Sequence, residues 1–214
     1  PVEQRVDLPE SLVSLTNKVP SVNAQIALRY LFKRGFTRDD ILKWKIGYCS
    51  EGEYAGRVVV PSFNENGYAN YFIARAYGGA WPRYKNPPAS RDIIFNELYV
   101  NWDEDLIIVE GVFDAIKAGN AIPLLGSTLR ENSALFQAIV KSGNRVFLAL
   151  DEDASKKARS IARLLLKYGV EVHEVDTSGI EDVGDMSKNE FQSRKNNAAI
   201  VQKDNYLLQR LSAV

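Results

Sequence analysis

Four short strand-like runs, separated by helix-length segments, constrain this chain more tightly than any other feature. They are residues 106–110, 121–125, 145–150 and 170–175, with helical spacing over 112–118, 131–142 and 154–168. Gly119, Gly143 and Gly169 follow the three helical stretches, where a left-handed residue ends a helix with least strain. Strands that alternate with helices pair in parallel through right-handed crossovers, and helices on both faces make each strand a nearly continuous apolar run. LIIV at 106–109 and VFLAL at 146–150 are such runs. Both end on acid: Glu110 after the first, Asp151 and Asp153 after the second. Open α/β sheets bind ligands beyond the carboxyl ends of their strands. Three carboxylates delivered to that edge make a place for a hard cation such as Mg²⁺.

The whole chain sets outer bounds. Its 214 residues suffice for one large domain or two small ones. One cysteine, Cys49, excludes an internal disulfide and a Cys-based zinc site, and it fits a reducing cytosol. No apolar run approaches a membrane span and no signal-peptide pattern opens the sequence, so no membrane role is expected. Net charge is zero, yet Arg29 to Arg91 holds eleven Lys/Arg against five Asp/Glu, an excess of six positive charges. A basic front part and an acidic remainder suit a protein that holds a polyanion with one and a metal with the other. Taken alone, the asymmetry equally describes solvated surface charge.

Upstream of Leu106 the pattern is mixed. Residues 1–20 form a lead-in. An apolar stripe from Val22 predicts a helix that Gly35 stops, and Thr37 then caps a second helix running through Trp44, with Asp39 and Asp40 in its first turn. RVVVPSF at 57–63 and YFIARA at 71–76 read as a β-hairpin around Glu65-Asn66-Gly67. WPRYKNPP at 81–88 is irregular and carries Arg83 and Lys85. After 175 an acidic loop, 176–185, precedes helical pieces near 187–194 and 197–212.

Several constellations bear on chemistry. Glu110-Gly111 falls between strand and helix, with Asp114 three residues further on. Gly111 lets the backbone turn close to a ligand, and Glu110 suits a metal ligand or a general base. Asp151 and Asp153 have D-x-D spacing, and alternate residues leaving a strand point the same way. Asp182 and Asp185 follow the next strand at the same edge. Gly126-Ser127-Thr128 after 122–125 suits phosphate contact through backbone amides. Singly, each is ordinary: a helix-start acid, a solvated loop, a turn. His173, in an alternating strand, reads as structural, and Cys49 and Met186 carry no chemical signal.

In this order and spacing, VEGVFDAIKA, PLLGSTL and VFLALDEDASKKA closely resemble the Toprim domain. That domain is shared by DnaG-type primases, topoisomerases and several nucleases. The upstream YLFKRGFTRDDILKWKIGY, GRVVVPSF, YFIARA and PRYKNPP are similar to the N-terminal subdomain of bacterial and bacteriophage primases. The resemblance spans roughly residues 22–192. It implies an α/β fold: a Toprim domain, with a mostly parallel sheet flanked by helices, preceded by a smaller mixed α+β primase N-terminal subdomain. The expected boundaries are 1–104 for the basic N-terminal subdomain, 105–192 for the Toprim domain and 193–214 for a C-terminal helical segment.

The resemblance also implies roles. Glu110, Asp151 and Asp153 would be catalytic, and with Asp185 they would bind Mg²⁺ or Mn²⁺. Gly111, Asp114 and Asp182 would support them, although Val183 stands where such proteins usually have proline. Arg57, Arg75, Arg83, Lys85, Gly126 and Ser127 would hold nucleotide or template. Lys85 falls at a usually variable position. The implied function is that of a nucleotidyltransferase making short RNA primers on a single-stranded DNA template from ribonucleoside triphosphates by two-metal chemistry. A Toprim-family metal-dependent nuclease is the alternative. The implied setting is the cytoplasm of a bacterial cell or bacteriophage-infected host. Such cores usually work with a zinc-ribbon domain and a replicative helicase, and neither a Cys/His cluster nor a helicase segment falls within these residues. Weak initiation and little template-sequence preference are expected of the core alone.

Overall fold

The computed structural model describes residues 3–16, 21–126, 128–180 and 182–202, which fall into two units, Pro1–Tyr99 and Val100–Val214. In the first unit, helix α1 (Val22–Lys33) starts where Ser21 Oγ accepts from the Ala24 amide at 3.2 Å. It stops before Gly35, whose φ of 73° only glycine adopts readily. Helix α2 (Arg38–Lys43) opens on a reciprocal cap. Asp40 N–H donates to Thr37 Oγ1 at 3.2 Å, and Thr37 N–H donates to Asp40 Oδ2 at 2.9 Å.

Strands β1 (Leu12–Ser14), β2 (Gly47–Cys49), β3 (Arg57–Phe63) and β4 (Ala69–Ala76) make an antiparallel sheet in that order. The β3–β4 hairpin turns where Gly67 N–H donates to Asn64 O at 2.9 Å. Arg57 to Ser62 are all buried, so β3 has no solvated face, and its centre, VVVP at 58–61, is an unbroken apolar run. Cys49, Val59, Phe72 and Ala74 form a core patch covered by Leu8, Leu12 and Tyr54. β1 and β2 were not expected, because three residues carry no measurable period. The segment at 81–88 is more regular than its prolines suggest. Ala76 N–H donates to Arg83 O and Lys85 N–H to Ala74 O, both at 2.9 Å, so it runs antiparallel beside β4.

The second unit alternates as its sequence predicts. Its elements are β5 (Leu106–Val109), α3 (Val112–Ala118), β6 (Ala121–Pro123), α4 (Ala134–Ser142), β7 (Val146–Ala149), α5 (Ser155–Lys167), β8 (Val172–Glu174), α6 (Lys188–Asn196) and β9 (Ala199–Ile200). The sheet order is β6-β5-β7-β8-β9, with the first four strands parallel and β9 antiparallel on the edge. The expected helix over 197–212 is corrected at its start, where residues 199–200 pair with β8 instead; its remainder, from 203 onward, lies outside the described residues. α4 begins at 134 rather than 131 because Ser133 caps it, accepting from the Phe136 amide at 3.4 Å. His173 stacks on Phe147 with centroids 4.7 Å apart and contacts Glu171 at 2.7 Å, a structural placement. Among the described residues, no helix is long and apolar enough to cross a membrane.

Candidate active site

From β5 the chain steps to β6 on one side, then crosses back to β7 on the other. The order reverses between β5 and β7, and a crevice opens at the carboxyl ends of two such strands. Val109 is in register with Ala149 there, so Glu110 and Asp151 leave adjacent strands at this switch point. The two are brought together closely enough for Glu110 to raise the Asp151 pKa by charge repulsion.

Asp153 behaves differently from the expected alternation. β7 ends at Ala149, and Asp151 (φ −61°, ψ 153°) heads a 3₁₀ turn, Glu152–Ala154, that contains Asp153. The period of two holds only within a strand, so Asp153 is turned out onto an exposed corner. Asp185 is likewise exposed, at the end of a second 3₁₀ turn, Val183–Asp185.

Asp114 ties these pieces together. It is 5% exposed, and its Oδ2 accepts from the Gly111 amide at 2.7 Å. Its Oδ1 accepts from the Gly184 amide at 3.0 Å, 70 residues away. Gly184 N–H is shared with Asp182 Oδ1 at 2.8 Å, and the Val183 amide donates to Asp151. The Asp182 loop is thus pinned to both the Glu110 turn and the Asp151 turn. Gly111 is needed for closeness rather than for an unusual backbone angle. Its φ is an ordinary −123°, and an added Cβ would meet Asp114 Oδ2 at 3.1 Å.

Burial and crowding set the electrostatics. Asp114 is pushed up to about 8, first by burial and then by the hydrogen bond and charge of Asp182. Asp151 is raised to about 6 by burial, then by Glu110, against the lowering effect of the Val183 amide. One oxygen of each strand-end acid, Glu110 Oε1 and Asp151 Oδ1, is buried without a hydrogen-bond donor. Two inward oxygens lacking donors fit a hard cation, which supplies the missing positive partner. Among the described residues, no three Asp, Glu, His or Cys side chains converge closely enough to hold one ion. The arrangement is therefore a pair, Glu110 and Asp151, with Asp153 and Asp185 on the rim.

A cleft of about 380 Å³ opens on the β8 side of Asp151, lined by Asp151, Glu152, Ser155, Asp176, Thr177 and Ser178 among others. Beyond β6, Leu125 and Gly126 both have positive φ, 54° and 75°. Two consecutive left-handed residues make a tight turn at the strand end; Ser127 lies outside the described residues.

The basic residues of the first unit are split between interior and surface. Arg57 is 4% exposed and donates to Ala55 O at 3.0 Å and Pro82 O at 2.8 Å. Arg75 is 3% exposed and donates to the Tyr84 hydroxyl, with its guanidinium 5.1 Å from the ring centre. Arg83 is exposed, and Lys85 pairs with Glu53 at 3.1 Å. Trp81, beside them, is 86% exposed.

Sequence reasoning passed over Lys157, whose Nζ lies 3.4 Å from Glu110 Oε2. The available signal was its place in the first turn of α5, which contains no acid and where a lysine opposes the helix dipole. Trp81 was overlooked because nothing local distinguishes an exposed tryptophan from a packed one.

No protein-family model matches the chain. Two curated relatives are similar to it: the DNA primase of Thermotoga maritima, 27% identical over 75% of this chain and 37% of that protein, and the DNA primase of Staphylococcus epidermidis, 23% identical over 72% and 34%. The chain thus spans about a third of the length of the curated relatives it matches. Among solved structures, the DnaG primase catalytic domain bound to ssDNA is similar with a TM-score of 0.71 at 20% identity, over 84% of this chain and 74% of that one. The zinc-binding and RNA polymerase domains of Aquifex aeolicus primase give 0.68 at 24%, over 82% and 56%. The Escherichia coli primase catalytic core gives 0.68 at 20%, over 84% and 75%. The chain has the fold of DnaG-type primase catalytic cores.

Proposed function

We propose that this chain is the RNA-polymerase core of a primase, joining ribonucleotides into short primers on single-stranded DNA. The observation that carries the reading is the pair of inward, donor-less oxygens of Glu110 and Asp151 at the switch point. Acids so placed on a fold shared with a catalytic domain solved on ssDNA suit nucleotidyl transfer. Glu110 and Asp151 would hold the divalent ion, Mg²⁺ or Mn²⁺, with Asp153 and Asp185 as further ligands and Gly111, Asp114 and Asp182 supporting them. When bound, the ion would lower the charge of the triphosphate and favour ionisation of the attacking 3′-hydroxyl. Glu110 would also accept the proton of that hydroxyl, and the amides of the Gly126 turn would hold phosphate oxygens.

In the first unit, Arg83 and Lys85 would meet the template backbone, and Trp81 a base. Arg57 and Arg75 would act by fixing the loop that carries them. Ribonucleoside triphosphates, a replicative helicase and a zinc-ribbon domain outside these residues complete the expected partners, in a bacterial or bacteriophage-infected cytoplasm. Both curated relatives are primases, so the nuclease alternative is not favoured. Incubation with single-stranded DNA, Mg²⁺ and labelled ribonucleotides separates the two, since a primase extends and a nuclease shortens. Asp151→Ala is expected to abolish incorporation without loss of the folded circular dichroism spectrum. Incorporation unchanged by that substitution would defeat the assignment.

A further inference from the structure

Lys157 is out of place by the ordinary rules of helices. It stands in the first turn of α5 behind Lys156, with no acid in that turn, where the free amides already carry positive charge. Acids do stand just ahead, Glu152 and Asp153 in the 3₁₀ turn that leads into α5, yet the carboxylate that Lys157 meets is Glu110, on a different element 47 residues away. Lys157 Nζ reaches its Oε2 at 3.4 Å, and the two side chains are only 21% and 25% exposed. A lysine gives up much rotamer freedom to hold such a position. The neighbourhood explains why it does: Glu110 and Asp151 emerge side by side, each with a buried oxygen that no donor satisfies. Carboxylates crowded in this way repel one another unless a cation stands among them.

We propose that Lys157 is a resident counter-ion, holding the cation position at Glu110 when no divalent ion is bound and displaced from it when one enters. The assignment rests on the reading of Glu110 and Asp151 as ion ligands. An ammonium suits the task because it is a compact charge on a flexible stem and leaves without disturbing the backbone. A guanidinium would grip the carboxylate with two parallel hydrogen bonds. Two cations competing for one carboxylate are thermodynamically linked, so removal of one tightens binding of the other. In this scheme Lys157 keeps the empty acidic edge folded and holds ion affinity below what the acids alone would give.

Mn²⁺ alone is the probe, with its free EPR signal followed on the full chain. Lys157→Met is expected to bind Mn²⁺ at least about fivefold more tightly than the unaltered chain, at the low end of ordinary coupling between sites. Lys157→Arg is expected to bind no more tightly than the unaltered chain. Equal or weaker binding by a folded Lys157→Met variant overturns the proposal, as does tighter binding by Lys157→Arg. If Lys157→Met fails to fold in EDTA, cooperative melting restored by Mn²⁺ supports the proposal. If it folds in neither condition, the arginine variant decides alone. Absence of Mn²⁺ binding in all three chains also overturns it. Ribonucleotide incorporation is scored separately: the expected Mn²⁺ order without incorporation removes the polymerase reading and leaves the counter-ion standing.

Discussion

Burial sets the chemistry of Asp114 before any ligand arrives. Its carboxyl holds the Gly111 and Gly184 amides and shares a hydrogen bond with Asp182, which requires a proton between the two acids. Because folding raises its pKa from 3.8 to about 8, the folded chain holds a proton that the unfolded chain releases. The stability this contributes is complete below about pH 3.8 and is lost as pH rises through about 8. Asp151, raised only to about 6, adds little slope above that value. In EDTA, stability from urea unfolding is expected to fall by about 2 kcal/mol between pH 6 and 8. Asp114→Asn cannot titrate, so it is expected to flatten that slope, at a lower overall stability because its NH₂ group faces one of the two backbone amides that the carboxyl accepts from. A slope as steep in the variant would assign the proton elsewhere. The sequence marked Asp114 only as a helix-start acid beside Glu110. Its tie to Gly184 joins residues far apart in the chain, which no local pattern records.

Among elements, the segment beside β4 separates scaffold from contact surface. Arg57 donates from beneath to Ala55 and Pro82, inside the protein, while Trp81 stands in water next to the pinned backbone. Arg57→Ala is expected to cost about 3 kcal/mol in chemical unfolding, through two lost charge-assisted bonds and carbonyls left without donors. Trp81→Ala should leave the melting temperature unchanged and weaken binding of a labelled DNA single strand by about 1–3 kcal/mol, the usual worth of one stacked base. Undiminished binding would show that no base stacks there. Element types were legible wherever a pattern had length. The two long helices, the β3–β4 hairpin and the alternation from β5 to β8 all follow from it. β1, β2 and β9 have three residues or fewer and are strands only because a neighbour offers its edge. The outward turn of Asp153 was illegible for a related reason: D-x-D was read as strand, but the strand had already ended. The interior placement of Arg57 and Arg75 was hidden too, since sequence records a charge but not the carbonyls and ring that receive it.

Across the whole chain, neutrality conceals an uneven distribution along the sequence, with six excess positive charges between Arg29 and Arg91 and the balance of acid elsewhere. If the basic stretch holds template, the affinity for a DNA single strand should fall with log–log slope of about −2 to −4 as salt rises, as for three to six phosphate contacts. Fluorescence anisotropy from low to moderate salt measures it, and a slope near zero would place the DNA off this stretch. The second sheet has a further property, visible at its two ends. On one side β9 closes the edge with two antiparallel residues. On the other, β6 bonds to β5 through Asn120 O and Leu124 N–H, so Ala121 and Pro123 face outward. A proline there costs the sheet no internal bond and leaves the outer rim short of a donor where a foreign strand would dock. A chain whose outer strand refuses partners in this way can be concentrated without its copies joining edge to edge along this strand.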